Sequence, residues 1–469
     1  MKRTICRFLA ALSLVSAALA SGPATRPRYR GTLRMEVQAA IPSLDPSDWP
    51  TDLFVSDAKE RFTPLVYEGL VRLDENGRPQ PCLAVSWQRD PDFRRWQFQL
   101  RAGVTFHNGS PLTAEAAAAA LNSAAGWSAS DSSGKLLIET DQPRPDLLMD
   151  LAQPRHFIFQ RGADAASSGT GPFRQVQWQA GRHAALEANE EHWEGRPFLD
   201  AVTLDMGRAL QEQLLDLELG KADLAELRVN DLTRASQSGY RIWSSRPLEL
   251  MVLVFSRNNP SVEDSRLREA ISLSIDTAVI HNVLLQKQGQ PAGALLPQWL
   301  SGYAFLFPAV RDLERAKRAA ATLQPNLRPL ILGYEPGDLL VRSVAERIAV
   351  NTREAGIIIE ATAIAPRSRV APDIRLVRRP VREPEPGRAL AELARLLDLA
   401  GFVQIPPPAL PEDVFAAERA LIQDHRVIPI AHLPEVYAVS PKVRSWNTPG
   451  LLGSGIWQFE DLWLDTERP

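Results

Sequence analysis

Alternating apolar and polar positions predict short strands in the first half of the chain. Leu83–Trp87 and Trp96–Leu100 alternate as half-buried strands do. Val66–Leu73 is also predicted to be a strand, and Asp74–Gly77 after it has the composition of a turn. Thr113 then precedes an alanine-rich run, where its hydroxyl can accept a backbone N–H of the first helical turn. The pattern therefore predicts a strand-rich region that ends in a helix.

The second half of the chain changes period and predicts helices packed on a sheet. Glu249–Arg257 is nearly all apolar at its centre, which is typical of a buried strand. Asp264 precedes a helical apolar pattern. The pattern further on predicts a strand over Pro329–Tyr334, an amphipathic helix over Asp338–Ala355 and a second strand over Ile357–Ile364. Two parallel strands joined by a helix indicate α/β layers.

Composition sets the scale and excludes one class of partner. The 469 residues suffice for two or three domains, and 45% hydrophobic with 23% charged residues is typical of globular proteins. The net charge of −3 gives no electrostatic basis for binding nucleic acid. No nucleic-acid partner is expected.

The first twenty residues have the pattern of a secretory signal peptide. Basic residues precede the apolar run Phe8–Leu19, which is too short to span a bilayer comfortably, and Ala18–Ala20 matches an A-x-A cleavage site. We predict that residues 1–20 are removed and that the mature chain is periplasmic; an uncleaved membrane anchor is the alternative. Cys6 leaves with this segment, so Cys82 has no intrachain disulfide partner.

Catalytic and metal-binding motifs are largely missing from the sequence. It contains no GxSxG, HExxH, CxxC, P-loop or GxGxxG pattern. Ser132 and Lys135 fit S-x-x-K, but they flank a typical turn and lack the partner motifs of serine acylases. The seven histidines include no pair at i, i+4 spacing. We therefore expect neither an enzyme nor a metal or cofactor site; a secreted hydrolase is the weaker alternative.

Several phrases of the sequence resemble one family. Leu65–Leu121 resembles the signature region of the family 5 extracellular solute-binding proteins, the receptors of ABC importers for oligopeptides, dipeptides and nickel. Gly169–Leu204 and Ser265–Gln298 resemble further signatures of the family. Val427–Ser440 resembles its return strand between lobes, and Gly455–Phe459 its C-terminal strand.

The resemblance implies a two-lobed type II periplasmic-binding-protein fold of the α/β class, with an extra subdomain in the N-lobe. On this basis lobe I would comprise 29–49, 169–248 and 430–469. The extra subdomain would be 50–168, and lobe II would be 249–429.

The resemblance also implies a function. The chain would be the periplasmic substrate-binding protein of an ABC importer, which captures a peptide-like or other small solute between two closing lobes and delivers it to the permease. The hinge would lie near Leu250–Ser256 and Val427–Ala438, and a monomer is expected. A non-transport ligand sensor or a chaperone-like binder on the same scaffold is the alternative.

Ligand contacts are predicted from turns, aromatic residues and one arginine. Trp49 and Trp299, with Tyr303 nearby, can supply the flat apolar walls that a tolerant binding cleft needs. The resemblance implies that peptide-binding relatives hold the ligand's amino group with an aspartate of lobe II. In this sequence the corresponding segment, 378–386, carries arginines instead, which argues against ordinary peptide binding. Arg378 could instead pair with a carboxylate or phosphate, or be a solvated strand end. The predicted ligand-binding residues are Asp45, Trp49, Thr170, Trp299, Tyr303 and Arg378.

Overall fold

The structure is a computed structural model, and it describes most of the chain. The described residues are 27–74, 76–123, 126–162, 167–257, 259–323, 328–365, 368, 370–402, 405, 409–445 and 459–465. The predicted signal peptide 1–20, and all but the last residue of the strand predicted at Gly455–Phe459, lie outside them.

The described chain contains strands and helices in mixed order. The strands are β1 Thr32–Glu36, β2 Val71–Leu73, β3 Pro79–Pro81, β4 Ala84–Arg89, β5 Arg95–Leu100, β6 Ser128–Ser132, β7 Lys135–Glu139, β8 Gln160–Arg161, β9 Ser167–Ser168, β10 Phe173–Gln179, β11 His183–Ala188, β12 Ala201–Asp205, β13 Leu224–Glu226, β14 Arg241–Phe255, β15 Gln290–Pro291, β16 Leu330–Tyr334, β17 Ile359–Ala363, β18 Ile374–Pro380, β19 Val427–Val439, β20 Val443–Arg444 and β21 Trp463–Leu464. The α-helices are α1 Leu53–Phe62, α2 Ala114–Leu121, α3 Leu147–Leu151, α4 Leu210–Glu218, α5 Leu232–Gln237, α6 Ser265–Ser274, α7 Thr277–Val279, α8 Gln298–Ser301, α9 Leu313–Ala321, α10 Leu339–Glu354, α11 Pro386–Leu396 and α12 Pro411–Gln423. None of the helices in the described ranges is long and apolar enough to cross a membrane.

One large sheet connects the two halves of the molecule. Its order is β10-β11-β12-β1-β13-β19-β14-β18-β16-β17, with β15 paired to β19 off this path. The long strands β14 and β19 pair with each other antiparallel at its centre. The five strands on one side come from the first half of the chain, and β18, β16 and β17 on the other side come from the second. The two predicted hinge segments are thus neighbouring strands through which both halves are joined.

The predicted parallel unit is confirmed. β16 and β17 run parallel, with Leu330 opposite Ile359. The intervening helix α10 begins after Asp338, whose carboxylate accepts the N–H groups of Leu340 and Val341 at 3.0 Å each. This cap satisfies donors that have no partner within the helix.

The strand β14 is buried on both faces, as its apolar sequence predicts. Met251 and Leu253 belong to a core with α6 and α10, whereas Leu250 and Val252 belong to a second core with α11 and α12. All four side chains are fully buried. Alternating side chains of one strand thus hold helices on opposite faces of the sheet.

A smaller sheet, in the order β4-β5-β7-β6, packs against α2 in the first half of the chain. Its inward side chains, such as Phe98 and Leu136, share one core with β1 and β12. Thr113 caps α2 as predicted, because its hydroxyl accepts the N–H of Ala116 at 3.1 Å.

One local prediction was wrong in detail. The strand predicted at Val66–Leu73 is regular only over β2, because the carbonyl of Val66 instead accepts the N–H of Gly171 at 3.0 Å. This tertiary contact overrides the local pattern. After α6 the chain continues as the short helix α7 and a π-helical turn over Ile280–Leu284.

Candidate functional site

A cavity of about 180 Å³ lies where the two halves of the molecule meet. One wall is formed by α1 and the residues that follow it, and a second by 149–157. The third wall comes from the other side of the hinge strands: the segment after β18 with Arg382, Glu383 and Pro384, and the helix α11.

One face of α1 points into this cavity. Leu53, Ser56, Asp57 and Glu60 line it at i, i+3, i+4 and i+7 spacing. The helix begins after Asp52, whose carboxylate accepts the N–H of Val55 at 2.9 Å. This helix was not predicted from the sequence, although a capping residue followed by polar residues at helical spacing was the available signal.

Trp49, a predicted ligand contact, lines the cavity and is fixed in place. Its indole N–H donates to Ser56 Oγ at 2.7 Å, and Lys59 Nζ lies 5.2 Å from the centre of its ring. Lys59 is completely buried and donates to the carbonyls of Asp45, at 2.6 Å, and Asp48. Burial lowers the pKa of this ammonium to about 8, although Asp48 and Asp45 oppose the shift. The segment 45–49, which follows β1, is thus held against α1.

A buried network of two arginines and two carboxylates joins the walls of the cavity. Arg382 donates to both Asp57 and Glu435. Arg61 donates to the same carboxylates, at 2.6 Å to Asp57 and 3.0 Å to Glu435, and to the hydroxyl of Tyr437 at 2.8 Å. Burial would raise the pKa of Asp57, but Arg382 and Arg61 hold it below its ordinary value. Asp57 is therefore charged, and the two arginines share both carboxylates.

A second set of contacts crosses between the halves at the cavity rim. Arg388 on α11 donates to Asp146 at 2.8 Å and to Asp150 at 2.9 Å. Gln153 donates to Glu383 at 2.7 Å, and Glu383 also accepts from Arg388. These contacts and the buried network hold the two walls close together.

Glu60 stands apart from these pairs. Its carboxylate lines the cavity, and it makes neither a hydrogen bond nor an ion pair with any residue that the structure describes. Burial raises its pKa to about 7; Arg382 and Arg155 oppose this shift, whereas Asp57 and Glu383 add to it. Among the residues described, this carboxylate has no counter-ion in direct contact.

The far end of the cavity is built around Glu68. Its carboxylate accepts from Thr170 at 2.7 Å, from the Trp193 indole at 3.0 Å and from His192 at 3.3 Å. Glu460 lines the cavity nearby, and burial is the main reason that its pKa rises to about 7. Thr170, a predicted contact, is buried and lies behind Glu68 instead of on the cavity wall.

The other predicted contacts lie away from the cavity. Asp45 accepts the N–H of Ser47 at 2.8 Å and the hydroxyl of Ser167. Trp299 donates to the carbonyl of Pro247 at 2.7 Å, and the Tyr303 hydroxyl donates to Glu418 at 2.8 Å.

Arg378 is held by acids of its own chain. It donates to Glu249 at 2.8 Å and to Asp338 at 2.9 Å. Of the six predicted ligand-binding residues, only Trp49 lines the cavity. Ligand contact by Asp45, Thr170, Trp299, Tyr303 and Arg378 stays a prediction.

The described residues contain no group of three or more histidine, cysteine, aspartate or glutamate side chains that could hold a metal ion. Ser132 and Lys135 face each other across the β6–β7 turn, where Asp131 accepts the N–H of Gly134 at 2.8 Å. This is a hairpin connection, as the sequence indicated.

Solved structures share this architecture over nearly the whole chain. NikA from Brucella suis in complex with Fe(III)-EDTA matches with a TM-score of 0.78 and 20% identity, covering 92% of this chain and 100% of that one. AppA from Bacillus subtilis in complex with a nonapeptide matches with a TM-score of 0.70 and 16% identity, covering 94% of this chain and 100% of that one. These matches confirm the predicted type II periplasmic-binding fold.

Sequence comparison gives the family. The nickel-binding periplasmic protein of Escherichia coli is 26% identical over 372 residues, which are 68% of this chain and 71% of that protein. The model of the bacterial extracellular solute-binding proteins, family 5, matches residues 78–375. Because this match covers more than half of the chain, the protein belongs to the family 5 bacterial extracellular solute-binding proteins.

Proposed function

We propose that the mature chain is the periplasmic receptor of an ABC importer and that it holds a small solute in the cavity between its two lobes. The observation that carries this proposal is the origin of the cavity walls. Asp57 and Glu60 come from one side of the hinge strands, and Arg382 and Glu383 come from the other. A solute bound there contacts both lobes and favours the closed form.

The lobes in this proposal are those predicted from the sequence. Lobe I comprises 29–49, 169–248 and 430–469, with 50–168 as its extra subdomain, and lobe II comprises 249–429. The central strands β14 and β19 serve as the hinge, because they are the paired strands that join the two parts of the large sheet.

The size of the cavity favours a small solute. At about 180 Å³ it is smaller than the ~300–1,000 Å³ typical of pockets for drug-sized ligands. An extended peptide, such as the nonapeptide in the AppA complex, needs more room. We therefore propose that the ligand of the closed form is no larger than a single amino acid or a dipeptide.

We propose the remaining roles by analogy with the family. Residues 1–20 direct export to the periplasm and are then removed, and the closed form is the one that the permease recognises. The receptor acts as a monomer through binding, without turnover. No observation favours a sensor or chaperone-like role over transport.

Lobe closure can be tested by single-molecule energy transfer. Cysteines placed at Val176 in β10 and Val350 in α10 would carry the dyes, because both side chains are about half exposed. The native Cys82 is buried and its pKa is raised, so it will not compete for label. The added sample is the low-molecular-mass fraction of a periplasmic extract.

We expect that this fraction moves the population toward the shorter distance and that dialysis reverses the change. A matched pair within one lobe, Val85 and Val176, should show no change, because both belong to the first lobe and its subdomain. A distance between Val176 and Val350 that stays constant with every fraction would overturn the proposal.

A further inference from the structure

One nitrogen of the Arg382 guanidinium has no acceptor. Nε donates to Asp57, and Nη2 donates to Asp57 and Glu435. Nη1 is buried, but it donates to none of the residues that the structure describes. Only 10% of this side chain is exposed, and it forms part of the cavity wall. Because a buried charged donor without a partner is costly, the closed site lacks an acceptor at this point.

An acceptor without a partner lies on the facing wall of the same cavity. Glu60 is half-buried and lies one helical turn after Asp57 on α1. Its carboxyl makes neither a hydrogen bond nor an ion pair with any residue in the described ranges. Burial raises the pKa of Glu60, and the positive charge of Arg382 is the largest influence that opposes this rise. An unmatched donor and an unmatched acceptor thus lie close together around Asp57.

The charges around Arg382 are already balanced. Arg382 and Arg61 share the same two carboxylates, so two positive charges meet two negative ones. An anion on Nη1 would add a third negative charge beside Glu60, in a closed site where an unmatched charge is costly. A cation would leave Nη1 without an acceptor. The group that fits is therefore a neutral acceptor.

A hydroxyl group meets both needs. Its oxygen can accept from Nη1 of Arg382, and its hydrogen can be donated to the carboxylate of Glu60. Because burial raises the pKa of Glu60 to about 7, this carboxyl is present in both protonation states near neutral pH. A hydroxyl suits either state, since it can also accept a hydrogen bond from the protonated form.

On this basis we propose, building on the proposed function, that the solute is a neutral polyhydroxylated molecule, a small sugar or polyol. One of its hydroxyl oxygens accepts from Nη1 of Arg382, and the same or a neighbouring hydroxyl bonds to Glu60. The first of these bonds is charge-assisted and therefore stronger than a bond between neutral groups. Trp49 lines the same cavity, and its ring can pack against the C–H groups of such a solute.

The test begins with a panel of probes matched in size. The neutral members are D-glucose, D-galactose, D-mannose, D-ribose and myo-inositol. D-Glucosamine, D-glucuronate and glycine represent a cation, an anion and a zwitterion. Binding to the mature protein is measured by calorimetry near neutral pH, and native mass spectrometry of the gently purified protein identifies any solute retained from the periplasm. We expect a neutral member of the panel, or a retained neutral polyhydroxylated solute, to bind.

The role of Nη1 is tested with the monodeoxy analogues of the solute that binds. Wild type should bind the parent solute at least about tenfold more tightly than one of these analogues, because a hydrogen bond from a charged donor is lost. In Arg382→Lys this preference should disappear, since lysine keeps the positive charge but lacks the second arm of the guanidinium. Arg388→Lys is the matched control. Arg388 also crosses between the halves, but its three nitrogens all donate to acids of the chain, so the preference should be kept.

Glu60 separates a neutral solute from a cationic one. Glu60→Ala should weaken binding of the parent solute, and Glu60→Gln should restore most of the loss, because an amide still donates to and accepts from a hydroxyl. A cation would gain nothing from the amide, since its counter-charge would be missing in both variants.

Three outcomes would overturn the inference. They are a bound or retained solute that is charged or has no hydroxyl group, a preference for the parent solute that persists in Arg382→Lys, and the absence of both a neutral binder and a retained neutral solute. The first two leave the proposed function standing, because a solute still binds in the cavity. Failure of the proposed function would be seen separately, as lobes that do not close with any periplasmic fraction.

Discussion

The guanidinium of Arg382 pairs with the carboxylate of Asp57 across the cavity, so that a side chain beyond β18 is held by a helix of the first lobe. Both side chains are mostly buried, with 10% and 14% of their surfaces exposed. The same carboxylate also accepts from Arg61 at 2.6 Å. The guanidinium of Arg382, from the segment after β18, thus lies between an acid of α1 and an acid of β19.

Replacement of Arg382 should open the lobes. In Arg382→Met, closure would bury Asp57 and Glu435 with Arg61 as their remaining partner, and breaking a buried pair costs about 3–5 kcal/mol. We expect a larger radius of gyration by small-angle X-ray scattering, without added ligand. Arg395→Met removes an exposed pair and should leave the radius unchanged. A wild-type radius in Arg382→Met would contradict this role.

Glu60 should make the free energy of unfolding fall as the pH rises. Its pKa is about 7 in the folded protein and 4.5 ordinarily, because burial outweighs Arg382 and Arg155, and Asp57 and Glu383 add to the shift. The folded state therefore binds the proton of Glu60 more tightly, so the contribution of Glu60 to stability is greatest below about pH 4.5 and is lost as the pH rises to about 7.

In Glu60→Gln this loss should be absent. In urea unfolding at pH 8, the free energy of unfolding of the variant should exceed that of wild type by about 1–3 kcal/mol, after allowance for partial exposure. At pH 4.5 the variant and wild type should have nearly the same free energy of unfolding. Parallel pH profiles of the two proteins would contradict the assignment.

His432 should act in the opposite direction. It is buried, its Nε2 lies 3.0 Å from the carbonyl of Leu295, and burial lowers its pKa to about 4 although that hydrogen bond opposes the shift. The unfolded chain therefore takes up the proton first, and stability is lost as the pH falls from about 6.5 toward 4, at up to about 1.4 kcal/mol per pH unit. His432→Gln should flatten this part of the profile in urea unfolding. His183→Gln changes a partly exposed histidine, and this variant should retain the wild-type loss of stability at low pH.

Gly169 should not tolerate a side chain. A Cβ there would lie 1.9 Å from the carbonyl oxygen of Val66, and a backbone atom cannot rotate away. Gly169→Ala should lose about 3 kcal/mol or more, seen as a lower midpoint of thermal unfolding. Gly401→Ala would meet only the end of the Arg257 side chain, at 3.3 Å, and should unfold near the wild-type temperature.

Sequence patterns predicted the fold well because its elements carry strong local signals. The apolar run at the centre of β14, the capped helix α10 and the parallel pair β16–β17 each follow from hydrophobic period or capping residues. Family phrases supplied what periodicity cannot, namely that two long strands join two lobes.

The site was less predictable, because its charges come from distant parts of the chain. Asp57 and Arg382 are 325 residues apart, and nothing local in either segment indicates the pairing. Arg378 was predicted to contact the ligand, but it pairs with Glu249 and Asp338. Strand pairing places Glu249 beside it, and the helix cap places Asp338 there. Glu60 was missed because an acid on a helix looks like a solvated residue until the second lobe covers it.

Native mass spectrometry of the mature protein, purified gently from the periplasm, can show whether the cavity between the lobes holds a small solute. The measurement compares wild type with Ala152→Trp, whose large side chain would fill the cavity from the wall at 149–157. We expect a small retained mass in wild type that is lost in Ala152→Trp while the fold is kept. The same retained mass in both proteins, or a ladder of long peptides, would contradict it.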